Sequence, residues 1–143
     1  TPRLSSAASD VYKRQSIDDA LSIQGDSAPF AMYSHARMSS ILRKYGDKIP
    51  DLIIENELVK SEIDLIRFMS KWSQTVESAV DKLSIHMIPN YIHQLSSKFN
   101  NFYRDCKVIG DINESLRINF VSASKRILFD ALEILGIEAP ERM

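Results

Sequence analysis

Breaks in the amphipathic pattern are rare in this chain, and they lie at the ends of long apolar stripes. The sequence has four glycines and five prolines in 143 residues. Between them, apolar residues recur every three or four positions, which is the period of an α-helix. Gly46 and Gly136 each follow such a stripe, as expected for residues that end a helix. The pattern predicts an all-α fold, an antiparallel bundle of about five helices around one core.

The stripes and their boundaries place the individual helices. We expect the first from Asp26 or Ser27 to about Tyr45, the second over residues 56–71, and the third over residues 74–84. The third should bury Val76, Val80 and Leu83. The fourth begins near Pro89 and carries a heptad seam that predicts core packing: Ile88, Ile92, Leu95, Phe99, Phe102 and Cys106. The last should bury Leu116, Phe120, Ala123, Ile127, Ala131 and Leu135.

The first fifteen residues do not read as part of a fold. Residues 5–15 are what a common transposase sequencing adapter encodes when its DNA is translated in frame. We therefore interpret residues 1–15 as a non-native adapter-like segment and leave them out of the fold argument. On this interpretation the remainder is the C-terminal piece of a longer protein.

Composition excludes several classes of function. Without residues 1–15 the net charge changes from −1 to −3, so a broad basic surface for nucleic acid is absent and any RNA binding needs a local site. One cysteine allows no internal disulfide and makes a cysteine-based metal site a poor interpretation. No apolar run approaches the roughly 18 residues of a membrane span, and we expect no membrane partner.

Apparent catalytic motifs have simpler structural interpretations. Met69-Ser70-Lys71 resembles part of a nucleotide-binding loop, but it lies in a helical pattern and is interpreted as a helix end. His86 and His93 lack a third ligand at metal spacing, so surface or capping roles are expected. Cys106 occupies a seam position and is interpreted as a small buried hydrophobe. With no glycine-rich phosphate loop, the sequence shows no catalytic or metal site.

The first predicted helix carries a candidate binding face. Phe30, Tyr33 and Arg37 are spaced i, i+3 and i+7, so they share one side of a helix. Aromatic rings can stack on a nucleobase while an arginine donates hydrogen bonds to its edge. The alternative is that the aromatics belong to the core and the arginine pairs with a carboxylate.

Three segments, in order, resemble one known family. Residues 25–37, Gly-Asp-Ser-Ala-Pro-Phe-Ala-Met-Tyr-Ser-His-Ala-Arg, resemble a segment of arginyl-tRNA synthetases. Residues 99–106, Phe-Asn-Asn-Phe-Tyr-Arg-Asp-Cys, resemble a second, and residues 135–143 resemble the ending Leu-Gly-Ile through Pro-Glu-Arg-Met. The resemblance covers residues 16–143. It implies a remnant of the catalytic body or linker over residues 16–25 and a DALR anticodon-binding domain over residues 26–143.

The resemblance implies a function in tRNA recognition. The parent would be an arginine–tRNA ligase that uses ATP and Mg²⁺, while this fragment would bind tRNA(Arg) and hold no catalytic residue or cofactor. The implied anticodon-binding residues are Phe30, Tyr33, Arg37, Tyr103 and Met143 with its carboxylate. Phe30 stands where the family usually has Tyr, which keeps stacking but loses one hydroxyl. Every arginine anticodon has C in the middle, so the site should select one cytosine.

Two rival interpretations stay open at this stage. One is the related domain of another class I synthetase, and the other is a helical bundle that binds only proteins. Within the leading interpretation we expect a cytoplasmic monomer whose partners are tRNA(Arg) and the catalytic domain of the same parent chain.

Overall fold

A computed structural model of the protein describes residues 28–143. Residues 28–45 are helical and form α1, and they are followed by α2 (Lys60–Met69), α3 (Trp72–Asp81), α4 (Met87–Asp105) and α5 (Glu114–Ile134). The described residues contain no strand, so the predicted all-α class is confirmed. About five helices were predicted. Four helices, α2 to α5, have both ends within the described residues, and α1 begins at the first described residue. The predicted N-cap at Asp26 or Ser27 and the divisions at residues 1–15 and 16–25 lie outside it.

Contacts between side chains give the helix directions. Near the start of α4, Tyr91 stacks on Phe68 at the end of α2, with ring centroids 4.5 Å apart, so α2 and α4 are antiparallel. The contacts between α1 and α4 follow the same order along both helices: Phe30 lies against His93, and seven residues later Arg37 donates to Asn100. Helices α1 and α4 are therefore parallel neighbours, which brings the face of α1 beside the C-terminal half of α4.

The seam of α4 is the centre of the core, as predicted. All six predicted positions are buried, from Ile88 to Cys106. They pack with α2, α3 and α5 around them. The predicted helix end at residues 69–71 is also confirmed, since α2 stops at Met69.

The predicted faces of α3 and α5 are confirmed in part. In α3, Val76 packs against the core as predicted, but Val80 is exposed and Leu83 is 93% exposed beyond the end of the helix. The fully buried residue of α3 is Ala79. In α5, Leu116, Phe120 and Ala131 are buried and Ile127 and Leu135 pack against the core, as predicted, whereas Ala123 is exposed. The neighbour against which a helix packs decides which of its apolar positions are covered.

The start of α2 depends on one buried carboxylate. Its helix begins at Lys60 rather than near Asn56, because Glu62 Oε2 accepts a hydrogen bond from the backbone N–H of Val59 at 2.8 Å. The other oxygen, Oε1, accepts from Arg117 Nε at 2.6 Å. Arg117 also donates to the carbonyl of Lys107 at 2.7 Å. One buried ion pair thus ties α2, α5 and the loop between α4 and α5 together.

Candidate nucleic-acid interface

Tyr33 and Arg37 lie on the exposed side of α1, one helical turn apart. Arg37 Nη2 donates to the Tyr33 hydroxyl at 3.2 Å, and Arg37 Nη1 donates to Asn100 Oδ1 of α4 at 2.9 Å. Asn100 Nδ2 in turn donates to the Ser34 hydroxyl at 3.4 Å. The parallel packing of α1 and α4 therefore fixes the direction of the guanidinium with a residue from the second helix.

Tyr103 adds a second ring from α4. The Arg37 guanidinium lies 4.9 Å from the centroid of the Tyr33 ring and 5.2 Å from that of Tyr103, within the range of a cation–π contact. Tyr103 is held from below by stacking on Phe99, with centroids 6.3 Å apart. Tyr33 is 49% exposed and Tyr103 is 42% exposed. Both rings are therefore partly open to solvent beside the guanidinium.

The C-terminal tail, residues 137–143, returns along α1. Helix α5 stops at Gly136, which has a φ of 69°, and the N–H of Ile137 donates to the carbonyl of Leu132 at 2.9 Å. This arrangement is a Schellman motif. The tail then contacts α1 twice, at His35 Nδ1, 2.8 Å from the carbonyl oxygen of Pro140, and at Arg43 Nη1, which donates to the carbonyl of Glu141 at 3.0 Å.

Glu141 fastens the tail to α5 as well. Lys125 Nζ lies 3.2 Å from Glu141 Oε2. Partial burial acts to raise the pKa of the Glu141 carboxyl, but the hydrogen bond from Lys125 and the nearby positive charges outweigh it, and the pKa is lowered. Because the folded pKa is lowered, this contact stabilises the tail at neutral pH and is lost as the pH falls through that value.

These parts enclose a cleft, named here the tyrosine–arginine cleft. Its volume is about 420 Å³ and it opens to solvent. The lining residues come from α1 and the tail: Tyr33, Ala36, Arg37, Ser40, Arg43, Arg142 and Met143. Three of them are arginines, so the cleft is locally positive although the chain as a whole has a net charge of −1.

The chemistry of the cleft suits a nucleobase with its phosphate. Arg37 makes its two side-chain hydrogen bonds in the described part of the chain through Nη1 and Nη2, which leaves three of its five N–H groups available. Those groups can donate to the acceptor edge of a base that stacks on a tyrosine ring. Arg43 and Arg142 lie where they can contact the backbone phosphate.

Four of the five site residues expected from the sequence come together here. Tyr33, Arg37 and Met143 line the cleft, and Tyr103 lies beside it against Arg37. Phe30 does not line it, since its ring faces His93 with centroids 5.7 Å apart. Sequence reasoning missed Asn100, His35 and the arginines of the rim. His35 lies in the segment 25–37 and Asn100 in the segment 99–106, both of which resemble the synthetase family. Their position in these segments was the available signal for a role at the site.

The residues set aside in the sequence are structural or exposed. Cys106 is buried, and burial raises the pKa of its thiol, so it is a poor nucleophile at neutral pH. His86 and His93 are exposed. Within residues 28–143 there is no group of three or more His, Cys, Asp or Glu side chains that could hold a metal ion. Nor is any helix of that range long and apolar enough to cross a membrane.

Comparison with known families assigns the domain. The family described as DALR anticodon binding domain matches residues 31–143. The chain belongs to this family. The DALR domain is 39% identical to an arginine–tRNA ligase of Thermococcus kodakarensis and 41% identical to one of Pyrococcus abyssi, and each alignment covers 88% of this chain and 21% of the relative. The chain therefore spans about a fifth of the length of these relatives.

A solved structure shows the same fold. The DALR domain superposes on part of the arginyl-tRNA synthetase of Thermus thermophilus with a TM-score of 0.72 and 30% sequence identity. The superposition covers 80% of this chain and 21% of that one. The helical bundle described above is thus similar to one segment of a much longer synthetase.

Proposed function

We propose that this DALR domain is the anticodon-binding part of an arginine–tRNA ligase and that it binds tRNA(Arg) through the middle anticodon cytosine. The observation that carries the proposal is the meeting of Tyr33, Arg37 and the C-terminal Met143 in one cleft, with Tyr103 beside it. The relatives that the chain resembles along 88% of its length are named arginine–tRNA ligases.

The donor set of the cleft matches cytosine. A cytosine turned out of the loop presents O2 and N3 as acceptors and N4 as a donor. Arg37 can donate to both acceptors, and the terminal carboxylate of Met143 or a backbone carbonyl can accept from N4. Uracil keeps the acceptor at O2 but presents a donor at N3 and an acceptor at O4, so the contacts at these last two positions would be lost. Stacking on Tyr33 and Tyr103 contributes roughly 1–3 kcal/mol per base and does not depend on the base.

Phe30 is proposed to contact a neighbouring anticodon nucleotide and not the middle cytosine. It precedes Tyr33 by about one turn of α1, and its ring lies beside that of His93 of α4, outside the cleft. In the parent, ATP and Mg²⁺ would bind to the catalytic domain, which supplies adenylate chemistry, while the DALR domain places the tRNA. We propose that this parent acts as a cytoplasmic monomer.

A hairpin RNA tests the assignment of Arg37. With a 17-nucleotide anticodon stem-loop, replacing the middle C by U should weaken binding, and Arg37→Ala should remove most of that difference. A bidentate contact is worth about 1–3 kcal/mol of discrimination, so the ratio of the Kd for the U hairpin to the Kd for the C hairpin should fall by about 5- to 150-fold. Fluorescence anisotropy with both RNAs measures the ratio.

The matched control is Arg126→Ala on α5. Arg126 is an exposed arginine whose ion pair is with Asp130, at 3.3 Å, and it does not line the cleft. Its loss should leave the ratio unchanged. If Arg37→Ala weakens binding of both RNAs by the same factor, the assignment of cytosine selection to Arg37 is wrong. A wild-type chain with no preference for C would contradict the proposed function itself.

A further inference from the structure

We propose that His35 is a positioning residue that holds the C-terminal tail against α1, so that Arg142 and Met143 form one wall of the tyrosine–arginine cleft. The proposal rests on the proposed function only for its RNA-binding consequence. The attachment of the tail is a property of the protein alone.

The buried side chain of His35 is directed at the tail. It lies on α1 between Tyr33 and Arg37, but its side chain is fully buried, with 0% exposure. Its Nδ1 is 2.8 Å from the carbonyl oxygen of Pro140. A carbonyl only accepts hydrogen bonds, so Nδ1 must carry the proton and donate. Among the described residues Nε2 has no hydrogen-bond partner and is also buried. The one polar contact of the side chain is therefore the bond to the tail.

The tail has few other attachments. Beyond the bond from Ile137 that closes α5, its backbone is joined to the rest of the described chain through the carbonyls of Pro140 and Glu141. The contacts of Glu141 with Arg43 and Lys125 are exposed to solvent. Exposed ion pairs are weak and screened by salt. Ile137 and Ala139 pack against the core, which holds the first part of the tail. From Pro140 onward the bond from His35 is the polar contact whose donor is buried, so we assign to it the attachment of this last part.

The bond between His35 and Pro140 affects the cleft because Pro140 is close in sequence to the cleft residues. Pro140 stands two residues before Arg142 and three before Met143, the two tail residues that line the cleft. Met143 is 71% exposed, and within residues 28–143 its side chain makes no hydrogen bond. If the tail leaves α1 at Pro140, this wall is lost while Tyr33 and Arg37 stay on their helix.

The first test needs no RNA. His35→Leu keeps an apolar side chain under the tail but removes the donor, whereas His35→Asn places an amide N–H near the position of Nδ1. We expect ¹H–¹⁵N heteronuclear NOEs of Glu141, Arg142 and Met143 to fall in the Leu variant to values typical of a free chain end. The Asn variant should restore them. Leu65→Ala, a cavity variant in the buried part of α2, should lower stability and leave the NOEs of the tail unchanged.

The second test measures RNA binding with a shortened chain. His35→Leu and a chain ending at Ala139 should each raise the Kd for the 17-nucleotide hairpin by about tenfold, the effect of one good hydrogen bond or wall contact. In the shortened chain, His35→Leu should cause no further loss, because the residue acts through the tail that is already absent. Asn at position 35 should recover most of the affinity.

The outcomes separate the two proposals. Unchanged NOEs in His35→Leu would overturn the positioning role. A full multiplication of the two effects on Kd would show that His35 acts other than through the tail, which also overturns it. If the wild-type chain does not bind the hairpin, the proposed function fails while the NOE measurement still decides the role of His35.

Discussion

The orientation of Arg37 depends on neighbouring side chains, one of them on the same helix and two on α4. Its guanidinium is held by Asn100 and lies against the rings of Tyr33 and Tyr103. Spacing along α1 was enough to predict that Tyr33 and Arg37 share a face, because that relation is local. Tyr103 was expected only through the resemblance, and Asn100 was not given a role. Both come from α4, some 60 residues later, where no local pattern connects them to Arg37.

The buried ion pair of Glu62 and Arg117 is the strongest prediction about stability at the scale of a residue. Burial acts to lower the pKa of Arg117, but the hydrogen bond and charge of Glu62 outweigh it and the pKa is raised. Glu62→Leu removes the buried partner of Arg117 and leaves only the partly exposed Asp111, whose Oδ1 lies 3.1 Å from Nη1. Breaking a buried pair typically costs about 3–5 kcal/mol, and we expect a loss near the lower end because Asp111 remains. Urea unfolding monitored by circular dichroism measures the loss.

A second variant distinguishes the ion pair from the shape of the side chains. In Glu62→Leu with Arg117→Met both buried charges are absent, so part of the stability should return, although the contacts of Arg117 with Lys107 and Asp111 and the cap of Glu62 on Val59 are also lost. A double variant as unstable as the sum of its single changes would show that the two residues stabilise the fold separately.

At the scale of the element, the local pattern predicted the C-terminal ends of two helices and most of the buried positions. Gly46 and Gly136 follow α1 and α5 with positive φ values of 117° and 69°, as their positions after apolar stripes indicated. The expected burial was wrong at Val80 and Leu83 near the end of α3 and at Ala123 in α5. A helix alone does not determine which of its apolar positions a neighbour will cover.

Gly136 links the end of α5 to the direction of the tail. Its positive φ is strained for any residue with a Cβ, although the space around it is open. Gly136→Ala should therefore cost about 1 kcal/mol through the backbone alone. Gly136→Asn should cost less, since asparagine tolerates this conformation. Thermal unfolding of both variants checks the order, and an alanine variant as stable as wild type would contradict the strain.

At the scale of the whole molecule, charge confines RNA binding to a small area. The full chain has a net charge of −1, and the positive charge at the cleft comes from Arg37, Arg43 and Arg142. A domain that binds RNA in this way relies on stacking and base contacts more than on phosphate contacts.

The salt dependence of binding measures this property. Arg37 is assigned to the base, so Arg43 and Arg142 remain for phosphates. With these two contacts the slope of log K against log salt concentration should be about −1.4, as for a single-stranded loop. Arg142→Ala should make the slope shallower by about 0.7, and Arg126→Ala should not change it. A slope of about −5 would mean that phosphates are bound over a much larger surface than the cleft.

The sequence alone determined the helical class, the buried seam of α4, the ends of α1 and α5, and the shared face of Tyr33 and Arg37. All of these follow from interactions within one or two helical turns. Only the tertiary structure decided that Val80, Leu83 and Ala123 are exposed, that α1 runs parallel to α4 beside Tyr103, and that the tail returns to His35. These depend on packing between segments as far as 105 residues apart, and nothing in the local pattern encodes which distant surfaces will meet.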